Sequence, residues 1–486
     1  MRMYTFRRKF TAKRLTTPTH SDKMDLKAAK GGFYMKVNFS SICGKIKPMH
    51  ATNNGPVVYN LQNYKNGDVH PYTSNVDKFK DAGIPYARTH DSSFYWGYGM
   101  EHTIDVYYIF PDFDADPYDP KNYDFTCTDR YLEVCALADV EVFYRLGHRI
   151  EHEAKKYGTV APRDPHKWAV ICEHIIRHYT EGWANGFKYK MEYWEIWNEP
   201  DAHWNDGKVS PTWTGSHEQF FELYHVTATH LKEKFPHLKI GGPSIAGFFD
   251  WVDLFLSQLK APLDFLSYHC YPHKVKDILG LNRRMRAMLD KYGFKDTECI
   301  LNEWNYVKGW FGDDIVYSHE QRRKIKGASF TVAAMCACQY SPVDMLMYYD
   351  ARPNEIWNGM FDPMVIGRVF KGYYPFPMFN TLYRLGECVE IEDDQNAGGY
   401  ICAAKNGDEA AVLITHFNDD DTTEPKCFPI DLQGFGGENG TKVEFYILDD
   451  THDCELVSRA TYYGDHFTPE LKLPNFTAYL IKLKRI

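Results

Sequence analysis

Residues 191–201 read MEYWEIWNEPD. Tyr193, Trp194, Ile196 and Trp197 suit a buried strand, yet the run ends on Asn198, Glu199 and Pro200. Proline has no amide hydrogen and disfavours helical angles in the residue before it, so the strand has to stop at the carboxylate. Burying an unpaired carboxylate is costly. Glu199 is therefore either solvated at a strand end or held there for chemistry. Side chains alternate along a regular strand, so Asn198 and Glu199 share a direction only if the chain bulges or bends. That irregularity is expected here.

Seven other β-rich segments accompany this one: FYMKVNFSSI (33–42), IPYARTH (84–90), VEVFYRL (140–146), KIGGPS (239–244), DFLSYHCY (264–271), CILNEW (299–304) and MLMYYD (345–350). Between them lie helical patterns such as HKWAVICEHIIRHYTEGW (166–183) and HEQFFELYHVTATHLKEKF (217–235). Eight strand-like units alternating with helices predict an α/β fold, a (β/α)8 TIM barrel. An open doubly wound sheet is the alternative, but GKIKPMHATNNGP lacks the glycine-rich phosphate turn that such a sheet usually carries near its first strand. Past residue 380 the texture changes to strands separated by turn clusters, as in YICAAKNGDEAAVLITHFN and FTAYLIKLKRI, with no helical period. The expected organisation is a basic leader over 1–32, the barrel over 33–379 and a C-terminal β-sandwich domain over 380–486.

The 486 residues are 44% hydrophobic and 16% aromatic, enough for one large domain and a smaller one. No apolar run approaches a membrane span. The net charge of −9 argues against a nucleic-acid partner, whose binders carry a basic face. Twelve cysteines are scattered without a C-x-x-C pair, so they read as reduced, buried thiols rather than a zinc site. The first 30 residues hold nine Lys or Arg against two Asp and no signal-peptide core, which favours the cytoplasm.

Barrel active sites sit at the carboxyl ends of the strands. The fourth candidate strand ends in EIWNEPD and the seventh in ILNEWNY, each an apolar run followed by Asn-Glu. Glu199 and Glu303 therefore project into one mouth from opposite sides of the barrel. Two carboxyls flanking a sugar ring are what glycoside hydrolysis requires: one protonates the leaving oxygen, the other attacks or activates water. A lone Asn-Glu-Pro reads more often as a loop or helix start; its repetition on strands four and seven, with tryptophans beside both, favours catalysis. Trp204, Trp213, Trp304 and Trp310 are candidate stacking platforms for sugar rings, with core packing as the competing reading.

The stretches GKIKPMHATNNGP, ARTHD, IFPDFDADPYDPKNYDF, EYWEIWNEPD and ILNEW, with the tail FTAYLIKL, resemble glycoside hydrolase family 39, the β-xylosidases and α-L-iduronidases of the retaining clan. The resemblance implies that Glu199 is the acid/base, Glu303 the nucleophile, and Asn198 a ligand of the hydroxyl beside the reacting carbon. It also suggests that His90 and Asp91, closing the second strand, and His269 and Tyr271, closing the sixth, contact hydroxyls or hold Glu303 ionised. A structural histidine or an N-cap aspartate is the alternative for each.

The expected activity is a retaining β-xylosidase acting on oligosaccharides or glycosides, with no cofactor and no metal. α-L-Arabinosides, β-galactosides and α-L-iduronides share the same chemistry, and a silent carbohydrate-binding protein is the non-enzymatic alternative. A uronate would need a cationic clamp, for which Arg145 and Arg149 are the candidates. His148 and His152 lack a third metal ligand, and DFDADPYDPKNYD departs from a calcium loop, with Pro117 at its sixth position and Tyr123 at its twelfth.

Overall fold

The computed structural model describes residues 35–67, 69–90, 104–204, 206–393 and 395–486. The leader and Asp91 lie outside the described residues. Strand β1 (Met35–Lys45) comes first. Then β2 (Ala51–Asn53), β3 (Tyr86–Arg88), β4 (Glu141–Leu146), β5 (Tyr193–Ile196), β6 (Lys239–Ile245), β7 (Phe265–Cys270), β8 (Glu298–Trp304) and β9 (Met345–Tyr348) close into a parallel barrel. Closure runs through β2 and β9, with Ala51 opposite Met347 and Thr52 opposite Tyr348.

Strand alternation divides the barrel interior into layers. Ala51, Phe143, Tyr193, Phe265, Ile300, Met345 and Met347 form a small apolar plug. Two residues further along the strands the inward positions turn polar and stay buried: Asn53, Arg88, Glu195, Ser267 and Asn302. The outward positions between them, Trp194, Ile196, Leu266, Tyr268 and Leu301, join the large core beneath the surrounding helices. Strands buried on both faces carry near-continuous apolar runs, as YWEI and MLMY do.

The remaining strands are β10 (Glu387–Glu392), β11 (Gly399–Asn406), β12 (Glu409–His416), β13 (Lys426–Gln433), β14 (Thr441–Leu448), β15 (Asp453–Tyr462), β16 (His466–Phe467), β17 (Glu470–Leu473) and β18 (Thr477–Arg485). They form a sheet in the order β15-β14-β18-β12-β11-β10-β1-β13-β16, with β17 paired to β13. The sheet curls until its ends meet, and Tyr462 of β15 stacks on Phe467 of β16 with ring centroids 4.8 Å apart. Its inner face has its own core, including Met35, Val37, Phe39, Ile401, Val412 and Ile481. The opposite face rests on helix Ile325–Gln339, every residue of which is buried. There Ser329 Oγ lies 2.8 Å from Thr415 Oγ1, and Phe330 packs between Phe417 and Trp304.

Two expectations are corrected. Segment 33–42 is not the first barrel strand: β1 pairs antiparallel with β10 and parallel with β13. Its alternation, with Met35, Val37 and Phe39 buried and Lys36 and Asn38 half-buried, belongs to a sheet with one buried face. The true first barrel strand is only three residues long, too short to show a period. The β module therefore takes residues from before the barrel as well as after it, and helix Pro375–Leu385 runs across the expected boundary at 379.

Candidate active site

The strand bearing Glu199 ends at Ile196, three residues before the carboxylate. Trp197 and Glu199 adopt left-handed backbone angles, φ 73° and 49°, so Asn198 and Glu199 both reach the mouth. This is the expected irregularity, and named contacts hold it. Trp197 turns outward, donating from its indole to Thr212 O at 2.9 Å. The Glu199 amide donates to Ser244 O at 3.0 Å, and its carbonyl accepts from Thr212 Oγ1 at 2.6 Å. Asp201, fully buried, accepts from the amides of Ala246, Gly247 and Phe248 at 2.8, 3.1 and 3.0 Å. Gly242, at φ +125°, lets β6 come this close: a Cβ there would lie 2.9 Å from Ile196 O.

The second Asn-Glu pair solves the same problem in the same way. The ladder between β8 and β9 shifts register between Leu301 and Trp304, so Asn302 and Glu303 both point inward. Asn302 Nδ2 donates to Glu195 Oε1 at 2.7 Å. Trp304 then points outward, fully buried against Phe330 and Tyr348. As a sugar platform Trp304 is therefore corrected, because alternation after the bulge sends it into the helix layer. Trp213 is likewise buried, against Trp197.

Carboxylate oxygens of Glu199 and Glu303 and a ring nitrogen of His269 all lie within 4.8 Å of one another. His269 Nδ1 stands 2.7 Å from Glu199 Oε1 and 3.4 Å from Glu303 Oε2. The two carboxyls differ in surroundings: the Glu199 side chain is 20% exposed, that of Glu303 only 6%. Glu303 accepts from Arg88 Nη1 at 2.8 Å and Tyr271 Oη at 2.7 Å, and His90 Nε2 is 3.1 Å from its Oε1. Burial opposes its charge, but His269, His90 and Arg88 outweigh that and hold its pKa well below the usual carboxylate range. Burial also disfavours the charged imidazole of His269, while Glu303 and Glu199 together push its pKa up. Burial, reinforced by Glu303, keeps the Tyr271 hydroxyl protonated as a donor.

Beneath the carboxylates lies a network in which Arg88 spends five hydrogen bonds. Nε reaches Glu195 Oε2 at 2.7 Å, Nη1 reaches Asn53 and Glu303, and Nη2 reaches Asn198 Oδ1 at 2.7 Å and Ser244 Oγ at 2.8 Å. These are all the donors a guanidinium has. The second oxygen of Glu195 accepts from Ser244, Ser267 and Asn302. Such a pair is retained in the interior only when its remaining polar atoms are satisfied. The network fixes Asn198 and Glu303 relative to each other from below.

Above, Tyr271 touches Trp310 and Trp357, with centroids at 5.5 and 5.2 Å, and Tyr349 packs on His90 at 5.1 Å. Trp310 is 52% exposed at this rim. Thus His90, Asn198, Glu199, His269, Tyr271 and Glu303 converge. Arg88, Glu195, Tyr349 and Trp357 join them without having been expected. A charged residue amid the apolar YWEI was the available signal for Glu195, and alternation from Met345 and Met347 was the signal for Tyr349.

Other expected residues lie elsewhere. Arg145 is fully buried with Nη2 3.4 Å from Asp105, and Arg149 pairs with Glu153 at 3.2 Å, so both uronate-clamp candidates are engaged by acids. His148 contacts Asp105 and Glu151. Among the described residues, metal-like donor spacing occurs at Glu199, His269 and Glu303. The Arg88 guanidinium already lies on Glu303 there, with Tyr271 on its other oxygen, so the donor set suits proton traffic better than a cation. A cleft of about 1300 Å³ between helix Pro375–Leu385 and the sheet contains none of these residues. Among the described residues no helix is long and apolar enough to cross a membrane.

Residues 98–300 match the family model of glycosyl hydrolases family 39. A β-xylosidase of Geobacillus stearothermophilus is 27% identical over 215 residues, 38% of this chain and 41% of that protein, so the match spans well under half of the relative's length. A glucosidase structure from Croceicoccus marinus superposes with a TM-score of 0.72 at 22% identity, covering 94% of this chain and 99% of the other. A monomeric β-xylosidase from Caulobacter crescentus gives 0.66 at 15% identity, covering 94% and 100%. Over residues 98–300 the chain is thus similar to glycosyl hydrolases family 39, and it shares the fold of these solved structures.

Proposed function

We propose that the protein is a retaining glycoside hydrolase that removes terminal sugars, β-xylosides first among them, from oligosaccharides or small glycosides. The observation that carries this reading is the meeting of Glu199 and Glu303 at the strand ends of the barrel, oxygens within 4.8 Å. Double displacement uses carboxyls about 5–5.5 Å apart, whereas inversion, which seats a water between them, uses about 6.5–9.5 Å.

In the proposed first step, Glu303 attacks the anomeric carbon and forms a glycosyl ester while Glu199 gives its proton to the leaving oxygen. In the second, Glu199 takes a proton from water, which attacks the same carbon and releases Glu303. The nucleophile has to be ionised, and the cationic and hydrogen-bonding groups around Glu303 favour that state. The acid/base has to exchange protons with solvent and substrate, and Glu199 is the more exposed of the two. His269, at 2.7 Å, is placed to share the proton of Glu199. Asn198, held by Arg88, is positioned for a sugar hydroxyl.

The choice of xyloside rests on the β-xylosidase relative, and the engaged state of Arg145 and Arg149 weighs against a uronate. A panel of nitrophenyl xylosides, glucosides, arabinosides, galactosides and iduronides tests the sugar. Trapping with a 2-fluoro-xyloside tests the mechanism: a covalent adduct on Glu303 is expected. An inverted first product seen by NMR would sink the retaining mechanism, and cleavage of none of the glycosides would sink the hydrolase reading.

A further inference from the structure

Cys43 in β1 and Cys388 in β10 belong to none of the chemistry above. The β1–β10 ladder sets Ile42 opposite Val389 and Gly44 opposite Cys388, so Cys43 is an extra residue in the ladder, a bulge. Gly44, at φ +148°, supplies backbone angles that other residues rarely adopt. The bulge aims the Cys43 side chain across the strand gap, and its Sγ lies 3.3 Å from Cys388 Sγ. Cys43 is exposed, whereas Cys388 is buried beneath it. The pair straddles the barrel in sequence: Cys43 precedes β2, and Cys388 follows helix Pro375–Leu385. Next to it the chain entering and the chain leaving the barrel already touch, with the Ile46 amide donating to Gly386 O at 2.8 Å.

We propose that Cys43 and Cys388 form a dithiol site that takes low-molecular-weight disulfides as its oxidant and closes reversibly into a cystine. The thiolate of Cys43 attacks one sulfur of the oxidant, forming a mixed disulfide and releasing one thiol. The thiolate of Cys388 then attacks Cys43 Sγ, the protein disulfide forms, and the second thiol leaves. Two protein thiols are oxidised and one small disulfide is reduced to two thiols. Burial, with the Cys43 contact, pushes the Cys388 thiol up to about 12, so the second displacement is the slow one and quickens with rising pH. The bond ties the two ends of the barrel together. A cross-link between residues so distant in sequence restricts the unfolded chain most, and the oxidised protein melts at a higher temperature.

The test is to incubate the full chain with oxidised glutathione at pH 8 and follow intact mass, peptide linkage and melting temperature. The wild type should yield a linked peptide joining Cys43 to Cys388, about 2 Da lighter than the two thiol peptides together, melt higher, and revert with reductant. Cys388→Ser should instead hold a stable glutathione adduct on Cys43, and Cys43→Ser should show neither change nor gain in melting temperature. A persistent adduct on wild-type Cys43, a link to another cysteine, or an unmodified pair would each overturn the proposal. None of these readouts depends on glycosidase activity.

Discussion

Nε of Arg88 and Oε2 of Glu195 meet at 2.7 Å, both side chains wholly buried in the barrel interior. This pair stands one layer below the carboxylates and is the frame from which Glu303 and Asn198 are held. Removing one member leaves an uncompensated buried charge, which costs about 3–5 kcal/mol. Arg88→Met and Glu195→Gln should both destabilise the fold, Arg88→Met by about that amount, as read from denaturant unfolding. Arg88→Met should also remove activity, because it frees Glu303 and Asn198 together. Full activity and unchanged stability in Arg88→Met would refute the framing role.

Glu303→Ala is expected to abolish turnover of every glycoside. Glu199→Ala should be selective, slowing substrates with poor leaving groups by about 10²–10⁴-fold while sparing activated aryl glycosides in the first step. Added azide should restore turnover of those aryl substrates in Glu199→Ala and give a β-configured glycosyl azide. Equal slowing of activated and unactivated substrates would reassign the acid.

Tyr271 and His90 both favour the charged form of Glu303. Tyr271→Phe and His90→Ala should therefore raise the pKa of the nucleophile. The acid limb of kcat/KM, set by the free enzyme's ionised carboxylate, should move to higher pH in both variants. A hydrogen bond to a charged group contributes about 1.5–3 kcal/mol, so Tyr271→Phe should also lower kcat/KM by about 10–100-fold. An unmoved acid limb in both variants would show that they do not tune this group.

Asp350, fully buried and accepting from Asn54 Nδ2 at 3.0 Å, is pushed up to about 7, chiefly by burial. An acid whose folded pKa lies above its unfolded value binds its proton more tightly when folded. Its contribution to stability is complete below the unfolded value of about 3.9 and is lost as pH rises through about 7. Relative to the wild type, Asp350→Asn should therefore gain melting temperature as pH is raised across that window. Parallel pH profiles for the two proteins would contradict it.

The alternation of β and α segments, the two Asn-Glu strand ends and the irregularity at Glu199 were all legible in the order of residues, because each follows from local rules of pleating and proline geometry. The fate of Met35–Lys45 was also written in its alternation, but its partners lie about 350 and 395 positions away in the chain. Only folding chooses between a barrel strand and a sheet strand there. Trp304 faces the helix layer because a one-residue bulge reverses which face the next side chain takes. Arg88 and Glu195 show the same limit from the other side. A lone cation and a lone anion in apolar strands look like faults until the barrel closes and brings them within 2.7 Å. The order of residues sets which side chains could do chemistry at strand ends. The tertiary structure decided which of them meet, since charge pairing, burial and register are properties of distances across the barrel and not of spacing along the chain.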